Sequence, residues 1–167
     1  TALLSGVPFA IRYPRGRGIG ADWSGGFRRM EIGRGITLRG GKDVAVLAIG
    51  TVTNDALKAA VQAEEEGISA EVVSLRFAKP LDTAILHDVG RRFRRIITVE
   101  DGTVEGGVGS AVAEFISANG YTAEVVRLGI PETFIHHGTI AELKRICGYD
   151  TEGILTAIRK AAGREKA

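Results

Sequence analysis

From residue 44 onward the chain alternates short apolar runs with amphipathic stretches, and that alternation leaves very few folds open to it. Val44-Ala-Val-Leu-Ala-Ile49 is a continuous apolar run closed by Gly50, the pattern of a strand buried on both faces. Residues 54–66 follow as a helix with Leu57, Ala60 and Val61 on one stripe and Gly67 as its stop. Residues 70–75 read as the next strand. Asp82 can cap a helix carrying Ile85, Leu86 and Val89 that ends at Gly90. Residues 95–100 form a third strand. A glycine-rich turn then opens a helix with Val108, Val112, Phe115 and Ile116 on one side, closed by Asn119-Gly120, and residues 123–128 form a fourth strand. Thr139 and Glu142 make a Thr-x-x-Glu capping box ahead of Leu143 and Ile146, and Asp150 caps a last helix with Ile154, Leu155 and Ile158. Residues 31–38 add one further strand at an edge. The fold class expected is a three-layer α/β/α domain around a mostly parallel, five-stranded sheet. In such sheets ligands gather beyond the carboxyl ends of the strands, here loops 50–53, 76–81, 100–107 and 129–138.

Charge and cysteine content narrow the function classes. Twenty-two Lys and Arg against 20 Asp and Glu give a net charge of +2, no electrostatic case for nucleic acid or an anionic membrane. The first third is locally basic, with Arg12, Arg15, Arg17, Arg28, Arg29, Arg34 and Arg39; solvated arginines on an irregular segment account for most of them. Cys147 is the only cysteine, which excludes an internal disulfide and leaves no structural zinc set. It reads as a small buried apolar group near a helix end. No apolar run approaches the length of a membrane span, and the chain begins without a signal peptide or an initiator Met. These features predict a cytoplasmic location and a piece of a longer protein.

Four segments are candidates for chemistry. The stretch Glu100-Asp101-Gly102-Thr103-Val104-Glu105-Gly106-Gly107 could bring a phosphate to a helix amino terminus. Its spacing matches neither a dinucleotide fingerprint nor a P-loop, and three acids would repel an anion, so a glycine turn with close helix-on-strand packing is the better reading. His136 and His137 are adjacent on an extended loop and point to opposite sides; with Glu132 the nearest acid they do not form a metal set, and a hydrogen-bonding role in a loop or subunit contact fits better. Lys79 precedes Pro80 in an extended turn and reads as structural. In Pro8-Phe9-Ala10-Ile11-Arg12-Tyr13-Pro14-Arg15-Gly16, residues 8–13 read as a strand that Pro14 ends. Arg15 then projects from a tight turn, placed to clamp a phosphate in two-point fashion.

At this point a resemblance is visible. Arg12-Tyr13-Pro14-Arg15-Gly16 resembles the signature closing the pyrimidine-binding domain of the 1-deoxy-D-xylulose-5-phosphate synthase family, within the transketolase group. Ile32-Gly33-Arg34-Gly35, the run from Leu75 to Asp82, Thr98-Val99-Glu100-Asp101, Gly106-Gly107-Val108-Gly109-Ser110, the run from Leu128 to Gly138 and the run from Gly148 to Ile154 fit in the same order. The resemblance implies that residues 1–18 are the tail of the pyrimidine-binding domain, 19–32 a linker and 33–167 a transketolase-type carboxy-terminal domain. It implies an enzyme that condenses pyruvate with glyceraldehyde 3-phosphate, releasing carbon dioxide, with thiamine diphosphate and Mg2+ held by upstream domains of the same chain in a homodimer. Carried over by position, Arg15 alone is implied to touch substrate, at the aldehyde's phosphate. No catalytic, cofactor or metal residue falls within this stretch, which should be inactive alone. The chain departs from the family at Ser74, Asp101 and His136, in a strand end and loops.

Two other readings remain. The same domain occurs in transketolases and in the β subunits of 2-oxoacid dehydrogenases, although the latter have no sugar-phosphate substrate to explain Arg15. A stand-alone module binding a small anion or a partner is the other; against it, the apolar run of residues 7–13 would be an orphan strand.

Overall fold

A computed structural model of the protein describes residues 1–11, 13 and 24–164. The chain divides into two compact units, Thr1–Ile32 and Gly33–Ala167.

The second unit holds a five-stranded sheet in the order β1-β3-β2-β4-β5. These are β1 (Ile36–Arg39), β2 (Val44–Ile49), β3 (Ala70–Ser74), β4 (Arg95–Thr103) and β5 (Glu124–Ile130). The β2–β3, β2–β4 and β4–β5 pairs are parallel, and β1 alone runs antiparallel, beside β3. The helices are α1 (Thr53–Glu65), α2 (Thr83–Arg92), α3 (Val108–Ala118), α4 (Ile140–Ile146) and α5 (Thr151–Ala161). The alternation therefore produces the three-layer architecture it predicts. The edge strand is shorter than expected: residues 31–35 stay out of the ladder, and β1 begins at Ile36.

Period two along β2 sorts the core into two layers. Val44, Val46 and Ala48 face α1 and α5, while Ala45 and Leu47 face α2 and α3. Every residue of β2 from Val44 to Ala48 is fully buried, as its unbroken apolar run requires. Fully burying a side chain such as Leu47, Ile97 or Ile154 contributes about 1.5–3 kcal/mol.

Three helices differ from the sequence reading for packing reasons. The buried stripe of α1 consists of Ala56, Ala59, Ala60 and Ala63, with Leu57 at its margin, whereas Val61 is exposed. Small side chains let α1 lie close to both the sheet and α5, so the larger Val61 is left on the outer face. Helix α2 does not stop at Gly90 but continues to Arg92. Gly90 is a contact point, since a Cβ there would lie 2.6 Å from Tyr121 Cδ2. Helix α4 has the expected capping box between Thr139 and Glu142, yet none of its residues is buried and Ile146 is exposed. Cys147 caps the carboxyl end of α4 and is partly buried, not enclosed.

In the first unit, residues 8–11 form no strand, which corrects the expectation for 8–13 as far as the described residues reach. A strand needs a neighbour to take its backbone groups, and Phe9, Ile11 and Tyr13 remain exposed. Local order comes instead from a turn over residues 1–5, where Ser5 Oγ donates to the Ala2 carbonyl at 2.8 Å, and from Met30 N, which donates to Thr1 Oγ1 at 2.8 Å.

Candidate functional site

The carboxyl edge of the sheet is where the topology permits a site. Strands β2 and β4 are neighbours, but the chain leaves β2 toward the α1 face and β4 toward the α3 face. The crevice between these diverging loops is the usual ligand position of an open α/β sheet.

At that edge the end of β4 caps the helix that follows it. Glu100 is buried, and its carboxylate accepts from the backbone amides of Val108 at 2.9 Å and Gly109 at 2.8 Å. These are the first free N–H groups of α3, the donors that would otherwise face a phosphate. The glycines make this possible. A Cβ on Gly107 would sit 2.4 Å from Glu100 Oε2 and 2.2 Å from the Thr103 carbonyl, and one on Gly109 would sit 2.4 Å from Thr98 Oγ1. Gly106 has φ +69°, which a residue with a Cβ adopts at a cost. Arg127 pins the same loop, donating to the Val104 carbonyl at 3.0 Å and to Ser110 Oγ at 2.7 Å. The reading of this stretch as close packing is thus correct, and the acids do more than repel an anion: one takes the anion's place.

Two further carboxylates at this edge tie distant loops together. Asp101 accepts from the Tyr149 hydroxyl at 2.8 Å. Burial, with Asp101 beside it, holds that phenol above its ordinary range. Asp55, in the first turn of α1, accepts from Lys144 Nζ at 2.7 Å and Thr151 Oγ1 at 3.3 Å, joining α1 to α4 and α5. Sequence reading missed both links because their partners lie 48 and 89 residues apart. The acid in the first turn of α1 was the only local signal.

The loop after β3 is organised by Asp82. Its carboxylate accepts from the amides of Ala84, Ile85 and Gly35 and from Arg34, at 3.0–3.3 Å. Burial pushes its pKa up, but the amides of Ile85 and Gly35 and the Arg34 charge pull it below the usual carboxylate range. Arg76, just after β3, holds φ 58°, uncommon for a residue with a long side chain. Lys79 is exposed in the turn that follows.

The remaining candidates stay apart. His136 and His137 are exposed, and the His136 ring stands edge-on to Phe134 at 5.3 Å. Among the described residues no group of three or more His, Cys, Asp or Glu could hold a metal ion. With Glu100 seated on it, the amino terminus of α3 has its first two amides occupied and cannot offer them to a cofactor diphosphate. No helix among them is long and apolar enough to cross a membrane. Arg15 lies outside the described residues.

Comparison with known proteins agrees with this architecture. Residues 33–154 match the family model "Transketolase, C-terminal domain". A 1-deoxy-D-xylulose-5-phosphate synthase of Bacteroides thetaiotaomicron is 49% identical over 154 residues, 92% of this chain and 24% of the relative. One from Parabacteroides distasonis is 47% identical over 153 residues, again 92% of this chain and 24% of the relative. The chain thus spans about a quarter of the length of the curated relatives it matches. Among solved structures, one described as a split-gene transketolase, an inactive β4 tetramer, superposes with a TM-score of 0.74. It is 37% identical, over 83% of this chain and 44% of that one. The chain belongs to the transketolase C-terminal domain family.

Proposed function

We propose that the chain is the carboxy-terminal part of a 1-deoxy-D-xylulose-5-phosphate synthase, which joins pyruvate to glyceraldehyde 3-phosphate with loss of carbon dioxide. The observation that carries this reading is the extent of the 49% identity. A match of 154 residues in a 167-residue chain necessarily takes in position 15, well ahead of the family domain that begins at residue 33. In this reading residues 1–18 belong to the preceding pyrimidine-binding domain, 19–32 form the linker and Arg15 grips the aldehyde's phosphate. A guanidinium offers that dianion a fixed fork whose charge does not titrate away. The exposure of Val7, Phe9, Ile11 and Tyr13 supports the same division, since an apolar run of this kind belongs against a neighbouring sheet.

The unit from Gly33 onward acts here as scaffold and subunit surface within a cytoplasmic homodimer. Its carboxyl-edge carboxylates are committed to holding loops, and thiamine diphosphate and Mg2+ belong to domains upstream. The likeness to a split-gene transketolase favours a second reading, in which the domain serves a sugar-transferring enzyme. The isolated 167-residue chain, given pyruvate, thiamine diphosphate and Mg2+, is expected to release no carbon dioxide above a protein-free control. Measurable turnover would contradict the assignment of the chemistry to upstream domains.

A further inference from the structure

The opposite edge of the sheet, at the amino ends of β2 and β4, carries a pocket of about 530 Å³, within the range of small-molecule sites. Five cations line it, Lys42, Arg92, Arg94, Arg95 and Arg164, against one acid, Asp43. Its apolar wall is Ile68 with Ala161 and Ala162.

Not all of this charge is free. Arg92 is held by Glu71 in two-point fashion, at 2.9 and 2.6 Å, and by Asp88. Arg95 pairs with Glu124, and Asp43 accepts from the Ser69 amide at 2.7 Å. Arg164 uses one nitrogen on the Glu66 carbonyl at 2.7 Å. Lys42 and Arg94 have no side-chain hydrogen bond or ion pair among the described residues. Lys42, Arg94 and Arg164 thus line one cavity, whose acid, Asp43, spends one carboxylate oxygen on the Ser69 amide.

We propose that this pocket binds a small phosphorylated molecule, its phosphates between Lys42, Arg94 and Arg164 and its organic part over Ile68, Ala161 and Ala162. The site lies across the sheet from the carboxyl-edge loops and depends on no part of the synthase reading. The test is titration of the isotope-labelled 167-residue chain with inorganic pyrophosphate, followed by amide NMR, with sulfate at matched ionic strength as the comparison. Saturable binding is expected, with shifts confined to residues 42–43, 68, 92–95 and 161–164, and sulfate binding more weakly. The double variant Lys42→Ala, Arg94→Ala is expected to lose about tenfold or more in affinity, the scale of lost charged hydrogen bonds. Its thermal midpoint should not change, because neither side chain is bonded among the described residues. Shifts spread over all exposed arginines, equal binding of sulfate, or undiminished affinity in the double variant would overturn the proposal.

Discussion

Replacing Glu100 with alanine is expected to destabilise the chain by about 2–4 kcal/mol, the range for stranding a buried and a partly buried donor once served by a charged acceptor. The carboxylate is buried and takes both first-turn amides of α3, which the alanine variant leaves without an acceptor. Collapse around the gap is hindered because the Thr103 carbonyl and Thr98 already press on Gly107 and Gly109. Urea denaturation should show a lower midpoint with an unchanged slope. Glu100→Gln keeps one acceptor oxygen and should lose less than the alanine variant. A loss under about 0.5 kcal/mol for Glu100→Ala, the level of an ordinary surface change, would mean that the carboxylate does not hold α3.

The second large effect concerns activity. In the proposed full-length synthase, Arg15→Ala should raise KM for glyceraldehyde 3-phosphate and lower kcat/KM by roughly ten- to a hundredfold, the scale of a lost charged hydrogen bond. KM for pyruvate should hardly change, because pyruvate carries no phosphate for the guanidinium to grip. Arg15→Lys should recover part of the loss: it restores the charge but not the fork. Steady-state kinetics with each substrate varied in turn checks this. Equal effects on both substrates, or none, would remove Arg15 from the phosphate site.

Much of the fold was legible because its signals are local. The apolar run Val44–Ala48, the caps at Asp82, Thr139 and Asp150, and the Asn119-Gly120 stop each act within a few residues. The misreadings arose where a long-range contact overrode a local rule. Gly90 resembles a helix stop, yet it is small because Tyr121 packs on it from 31 residues away. Val61 is a better hydrophobe than Ala59, but the narrow gap among α1, α5 and the sheet selects alanine. Residues 8–13 have the composition of a strand, and residues 8–11 lack the neighbour that would make them one.

The carboxyl edge was half legible. Glycines and acids crowded at the end of β4 and just past it marked a special turn, and composition alone could not say that Glu100 would cap α3 itself. The Tyr149–Asp101 and Lys144–Asp55 links left no trace in sequence spacing, since the topology alone makes those residues neighbours. Arg15, argued from its motif and from phosphate chemistry, lies outside the described residues.

Assaying the full-length polypeptide that carries this chain, with thiamine diphosphate and Mg2+ and two alternative donors, separates the two readings. The result expected of the proposed synthase is 1-deoxy-D-xylulose 5-phosphate and carbon dioxide from pyruvate and glyceraldehyde 3-phosphate. A ketol transfer from a sugar phosphate, with no carbon dioxide released from pyruvate, would contradict it and make the protein a transketolase.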